Sequence, residues 1–237
     1  MKNYLTFAGV SSADFGVWIS GEGTFDRPKR AYEEKKVPGR NGTLLIDQGR
    51  YENQTITYPA CIVSDMPDKL AAFLNEMAQS SGYHRLEDTY HPYEYRTAQF
   101  ISETKVKTSG YGNISGQFEI TFNCKPQRFL KSGEQSIQIT TSGTQINNRT
   151  NMPSKPLIRV YGSGAGTVGI GSETIQISAI NEYVDIDCEI MDAYKGATNC
   201  NANVSYTKNI TIPPGVHGIT FTGLITQVEI EPRWYII

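Results

Sequence analysis

Features that advertise a chemistry are scarce in this sequence. Its 237 residues hold no run of 18 apolar residues, so no membrane-spanning helix is expected. Basic and acidic residues number 22 and 24, with no long run of either sign. That balance lacks the concentrated basic face through which proteins grip nucleic acid. The four cysteines, Cys61, Cys124, Cys188 and Cys200, are far apart and form no CxxC. Cys61 and Cys188 sit in strand-like text and read as buried free thiols. A Cys188–Cys200 disulfide is open on sequence, but the broken apolar stretch at the N-terminus makes a poor secretion signal. The six N-x-S/T matches, at Asn41, Asn53, Asn113, Asn148, Asn203 and Asn209, read as chance in a chain rich in Asn and Thr. Three histidines leave little choice of catalytic base, and no Cys–His or Ser–His–Asp signature is present. Enzymatic activity is not expected.

What is present is β structure, with one exception. Ser64–Gly82 places Leu70, Phe73, Leu74 and Met77 at i, i+3, i+4 and i+7, one stripe of a helix. Asp65 suits the N-cap, Pro67 and Asp68 suit the first turn, and Gly82 suits a left-handed cap. Such a lone helix should cover one face of a sheet. Residues 1–62 read as strands, with Phe15, Val17 and Ile19 on one face and Trp18 on the other. In Lys35–Val63, Pro38-Gly39 predicts a type II turn and Asn41-Gly42 a type I′ turn. Two turn signals between strand-like arms suggest a hairpin tip presenting Arg40. That residue reads either as a solvated loop residue or as a contact to a partner.

Tyr83–Arg96 reads as irregular and aromatic, and strands resume at Thr97–Thr108 and Gly116–Cys124. Lys131–Gly143 is a polar connector and marks a boundary, giving domains 1–131 and 132–237. The second domain is more purely β. In Val184–Ile190, Val184, Ile186, Cys188 and Ile190 point one way and Asp185, Asp187 and Glu189 the other. Short strands at turn-punctuated spacing suggest a sandwich.

Three motifs invite chemistry and lose to plainer readings. Gly164–Gly169 spells GxGxxG but runs into strand-like text, so it reads as a glycine-rich hairpin and not a dinucleotide site. His84, Glu87, Asp88 and His91 lack metal-site spacing and read as a polar loop. Asp185, Asp187 and Glu189 lack the oxygen-rich loop calcium prefers and read as a solvated strand face. No metal or cofactor is expected. Trp234, after a strand Gln227–Glu231 stopped by Pro232, reads as a packing residue of a folded-back C-terminus or as a contact to a partner or sugar.

Taken in order, several stretches resemble the distal tail protein (Dit) family of long-tailed, non-contractile phages of Gram-positive hosts. They begin with Val37-Pro-Gly-Arg-Asn-Gly, the Asp47–Tyr58 strands, Pro67–Met77, Leu86-Glu-Asp, Tyr95-Arg96 and Gly116–Arg128. They continue with Asn147-Asn148, Pro153–Ile158, Val160–Gly164, Ile186–Glu189, Pro214-Gly215 and Glu229–Trp234. Each is short; their order and spacing over nearly the whole chain carry the resemblance. Asn41 stands where Asp is more usual in the family's loop, which leaves the turn intact and questions any charge-specific contact there.

The resemblance implies a mainly β protein. Its N-terminal domain would be a ring-forming, β-sandwich-like unit with one helix and a long hairpin, and its C-terminal domain a galectin-like β-sandwich without room for an insertion. It implies a homohexameric ring joining the tail tube to the tail-associated lysin or tail-tip protein, with receptor-binding components as further partners. The place would be the virion tail tip, and the host cytoplasm during assembly. Arg40, Asn41 and Trp234 are the candidate interface residues. The rival reading is a lectin-like module touching cell-wall carbohydrate.

Overall fold

The structure, a computed structural model, describes residues 2–20, 24–109, 114–206 and 209–237. The asparagine of the Asn113 sequon lies outside them. The chain divides into two compact units, Met1–Arg128 with Ile237 and Phe129–Ile236.

In the first unit, β1 (Leu5–Phe7), β2 (Val10–Ser11) and β3 (Val17–Ile19) precede a ribbon of β4 (Arg30–Lys36) and β5 (Thr43–Tyr51). Next come β6 (Gln54–Ile62), α1 (Met66–Gln79), β7 (His84–Asp88), β8 (Glu94–Phe100), β9 (Lys107–Ser109) and β10 (Ser115–Leu130). The main sheet runs β2-β1-β7-β8-β10-β6-β3, with β9 also on β10, while β4 and β5 form a separate two-stranded sheet.

Period-2 burial fixes which face of the main sheet is covered. Ile56, Tyr58, Ala60 and Ile62 of β6 and Phe118, Ile120, Phe122 and Cys124 of β10 are all buried. They join Leu70, Phe73 and Met77 of α1 in one core. Leu74, the fourth residue of the expected stripe, is only half-buried at its edge. Each fully buried large side chain contributes roughly 1.5–3 kcal/mol, which holds the helix on the sheet.

The helix ends depart from expectation. Asp65 takes φ 52° and makes no side-chain cap bond. Its carboxylate instead meets Lys69 Nζ at 3.1 Å, one turn on. The Ile114 carbonyl accepts from the Met66 N–H at 3.1 Å, so a neighbouring segment satisfies a donor that a cap would have taken. At the other end Ser80 is extended, and Gly82, at φ 85°, turns the chain toward β7 and does not cap the helix.

Tyr83–Arg96 is no irregular stretch. It holds β7 and the start of β8, paired with Leu86 opposite Arg96 and His84 opposite Ala98. An arginine occupies an inward position, 5% exposed, and so breaks the apolar alternation by which a strand is recognised. The expected strand at Thr97–Thr108 is interrupted, since residues 101–106 belong to no ladder. Phe15 lies in a 3₁₀ turn before β3, packed edge-on to Phe73 at 5.8 Å.

The second unit has β11 (Ile137–Ile139), β12 (Thr144–Asn148), β13 (Leu157–Ile170), β14 (Glu173–Asp187), β15 (Asp192–Lys195), β16 (Thr198–Asn199), β17 (Val204–Tyr206), β18 (Gly215–Glu231) and β19 (Tyr235–Ile236). Its sheet runs β11-β18-β13-β14-β15-β16, with β12 on β18 and β17 on β14. The long strands β13, β14 and β18 curl, and residues from both of their halves meet in one core, among them Ile158, Val168, Ile175, Val184, Ile219 and Val228.

The curl is centred on the glycines of the false dinucleotide motif. The ladder shifts register between Gly164 and Gly166 on the β14 side of β13, and between Tyr161 and Gly162 and again between Gly162 and Gly166 on the β18 side. A Cβ on Gly166 would collide with the Thr222 carbonyl, and Gly223 opposite it takes φ 74°. These glycines allow two backbones to cross closely where a bulge bends the strand.

Candidate functional site

The β4–β5 ribbon is the candidate. Every residue from Tyr32 to Arg50 is exposed, so this arm is supported by its own ladder alone. A two-stranded ribbon is marginal in water by itself. Its apolar content is therefore informative: Leu44, Leu45 and Ile46 are 40%, 56% and 37% exposed, with Val37 and Tyr32 open as well. Register sets Glu34 opposite Leu45 and Glu33 opposite Ile46, so both faces carry an apolar side chain beside a charge. Exposed apolar groups gathered on one element mark an interaction surface.

The arm's tip follows from its turn chemistry. The Arg40 N–H donates to the Val37 carbonyl at 3.2 Å, and Gly39 takes φ 77°. That is the expected type II turn, with Pro38 at its first central position. The second expected turn does not form. Only Gly42, at φ 81°, has positive φ, whereas a type I′ turn needs it at Asn41 too. Pairing stops at Lys36 opposite Thr43, leaving Val37–Gly42 as the loop. Arg40 and Asn41 are both exposed in it.

The arm's root is fastened by polar contacts. Arg30 donates to Asp47 Oδ2 from Nε at 2.9 Å and from Nη2 at 2.5 Å, and its Nη1 reaches Tyr51 OH at 3.3 Å. The hydrogen bonds from Arg30 hold the Asp47 carboxyl below its usual range. Gln54 donates to the Asp26 carbonyl at 2.8 Å, and buried Arg96 to the Thr24 carbonyl at 3.1 Å. Phe25 lies over the His91 imidazole, with ring centroids 4.6 Å apart.

His84 and His91 do not come together. The His84 Nε2 meets the Ser81 carbonyl at 2.8 Å, while His91 Nδ1 meets Asp88 Oδ1 at 2.9 Å. The Asp88 and His91 side chains are 5% and 10% exposed, so the expected polar loop is in part a buried node. Asp88 also accepts from Tyr58 OH and from the Tyr90 and His91 N–H groups, each at 2.9 Å. Burial alone would raise the Asp88 carboxyl; the His91 and Tyr58 hydrogen bonds outweigh it and pull it down. Among the described residues no three His, Cys, Asp or Glu side chains are placed to share a metal ion.

In the second unit the row of acids is not a solvated face. Asp185 is 5% exposed and takes two hydrogen bonds from Arg159, at 2.6 and 2.9 Å. Asp187 is paired with Arg233. Ile190, expected inward, is 66% exposed because β14 ends at Asp187 and the chain turns away. Trp234 is half-buried and packs against the core of this unit. Its carbonyl accepts from Leu130 N–H at 2.8 Å, and the Arg233 N–H donates to the Gly133 carbonyl at 2.8 Å. All four cysteines are free thiols.

Sequence reasoning missed the buried polar nodes Asp88, Arg96 and Asn148, although each stands in a stretch that carried the family resemblance. Asn148 is 1% exposed, donates to the Met152 and Ile212 carbonyls at 2.9 Å each, and accepts from Thr150 N–H and Oγ1. A buried asparagine spells nothing in sequence until its partners from distant strands are known.

No family model matches the chain, and no curated protein matches it in sequence. Its fold is similar to the crystal structure of the Dit protein of phage SPP1, with a TM-score of 0.77 over 100% of both chains at 12% identity. That protein is described as a paradigm of the hub adsorption apparatus in phages that infect Gram-positive bacteria. This chain thus has, from end to end, the mainly β fold of a distal tail protein.

Proposed function

We propose that the chain is a structural hub of a phage tail tip: a homohexameric ring that joins the tail tube to the host-adsorption apparatus. The end-to-end likeness in fold to the SPP1 hub protein is the observation that carries this reading. The ring is formed by the N-terminal domain, and the C-terminal domain is read as galectin-like. Partners are further copies of the chain, the tail tube protein, the tail-associated lysin or tail-tip protein and a receptor-binding component. The role is structural and not enzymatic. It is exercised in the virion, after assembly in the host cytoplasm.

The exposed arm supports the same reading. An apolar ribbon beyond the body of its own unit is stable when a second surface covers it, and a closed ring needs two different complementary patches on each subunit. Arg40 and Asn41 at the tip are the proposed contact residues. The Arg40 guanidinium can pair bidentately with a carboxylate across a subunit boundary. Trp234 is proposed as a lesser contact, through the part of the indole left open.

Light scattering after size exclusion, with negative-stain images of the same peak, tests the reading. Six copies of the 26.3 kDa chain give about 158 kDa, and sixfold rings at that mass are expected. Arg40→Ala should weaken the ring and leave the unfolding midpoint unchanged. A chain that stays monomeric even with the tail tube protein of the same phage would sink the proposal.

A further inference from the structure

One groove of the first unit is untouched by the hub reading. The face of the main sheet opposite α1 is crossed by an outward row, Trp18 on β3, Cys61 on β6, Gln117 on β10 and Lys107 on β9, each directly opposite the next. Ser20, Pro59, Glu119 and Lys105 lie beside this row, and together they line a groove of about 590 Å³. That volume lies in the range of small-molecule sites.

Its chemistry is uneven in an informative way. Lys105 and Lys107 are exposed and form no ion pair among the described residues. Lys2 stands with Nζ 4.7 Å from the centroid of the Trp18 ring. Two ammonium groups thus line the same groove as one half-buried indole, a third lies against that indole, and Glu119 is the sole carboxylate among the lining residues.

We infer that this groove binds an anionic saccharide, a sugar ring bearing a phosphate or carboxylate. The indole offers an apolar platform for the C–H face of the ring. The Gln117 amide, Ser20 hydroxyl and Glu119 carboxylate supply donors and acceptors for its hydroxyls. The lysines take the anionic substituent and account for the charge excess. An acidic peptide fits less well. Strand addition would place it along the outer strands β3 or β9, away from Cys61 and Gln117 at the centre of the row, whose strands β6 and β10 are paired on both sides. A nucleic-acid strand would need a succession of stacking platforms, and this groove has one. The inference stands on the groove and is independent of the hub reading.

Calorimetric titration of the intact chain with glucose 6-phosphate and with glucuronate tests it. Glucose and inorganic phosphate serve as controls, and alkylation of Cys61 as a second readout. Saturable binding of at least one charged sugar is expected, about tenfold tighter than glucose or phosphate alone, a gap of roughly 1.4 kcal/mol. Bound sugar should slow Cys61 alkylation, and raised salt should weaken binding. The double variant Lys105→Gln, Lys107→Gln changes only exposed side chains, so it should fold normally and lose at least about tenfold of the affinity. Trp18→Ala should abolish binding. Three results would overturn the assignment: no heat and no Cys61 protection with either charged sugar, full affinity in the double lysine variant, or equal binding of a tetraglutamate peptide. None of these depends on whether the chain forms a ring.

Discussion

Arg233 closes on Asp187 through two parallel hydrogen bonds, Nη1 to Oδ1 at 2.9 Å and Nη2 to Oδ2 at 3.0 Å. The pair joins the end of β14 to the residue before Trp234, so it pins the C-terminal segment to its own unit. Burial would raise the Asp187 carboxyl, but the Arg233 and backbone N–H bonds prevail and hold it below its usual range. A depressed folded value means the stabilisation is present above the unfolded carboxylate range, near pH ~3.9, and is lost as pH falls through the folded value. Asp187→Asn should lower stability by about 1–3 kcal/mol at pH 7 and flatten the acid limb of a melting-temperature profile. An unchanged profile would refute the clamp.

Asn148 predicts a larger loss. Asn148→Ala takes the amide's bonds from the Met152 and Ile212 carbonyls, which keep those from Thr150 Oγ1 and the Ser154 N–H, and leaves the buried Thr150 N–H without its acceptor. About 2–3 kcal/mol of unfolding free energy should disappear in urea titration. A loss below about 0.5 kcal/mol would show that the node is dispensable.

The helix of the first unit is held by its apolar stripe and not by its ends. Phe73→Ala should cost about 3–5 kcal/mol, because a fully buried ring is removed from between helix and sheet. Lys69→Ala removes an exposed pair with Asp65 and should cost under about 1 kcal/mol. Comparable losses in the two variants, by denaturant unfolding, would contradict this division.

Thiol chemistry gives a rapid check of both cores. Burial pushes Cys124 and Cys188 up to about 12, so neither forms thiolate readily near neutrality. At pH 8 an aromatic disulfide reagent should modify the half-buried Cys61 and Cys200 first. Cys124 and Cys188 should react only on unfolding, read by mass spectrometry of the labelled peptides. Early labelling of either would mean that its core opens.

The Arg30–Asp47 pair should order the arm without stabilising the body. Arg30→Ala is expected to speed amide exchange across Thr43–Tyr51 while leaving Gln54–Ile62 protected. Equal acceleration in both strands would mean that the ribbon and the sheet unfold together.

How much of this was legible beforehand depended on locality. The helix could be read because Leu70, Phe73 and Met77 recur at a spacing that only a helix puts on one face. The Val37–Arg40 turn could be read because Pro38 and Gly39 restrict their own backbone. The β7–β8 hairpin was obscured by Arg96, whose inward guanidinium is met by the Thr24 carbonyl, 72 residues away. The acids of β14 looked solvated because Arg159 reaches Asp185 from β13 and Arg233 reaches Asp187 from beyond the end of β18.

By itself, then, the sequence determined the mainly β class, the single helix, the hairpin tip at Arg40 and the mismatch of the glycine motif with nucleotide binding. Each rests on short-range geometry, on periodicity or on the φ that one residue allows. The tertiary structure decided which polar side chains are buried, that the arm stands exposed with Leu44–Ile46 open, and that Trp18 shares a groove with Lys105 and Lys107. Those facts depend on strand order and register, which set residues far apart in the chain face to face. No local preference encodes such pairings; they are settled when the strands assemble and burial selects one register.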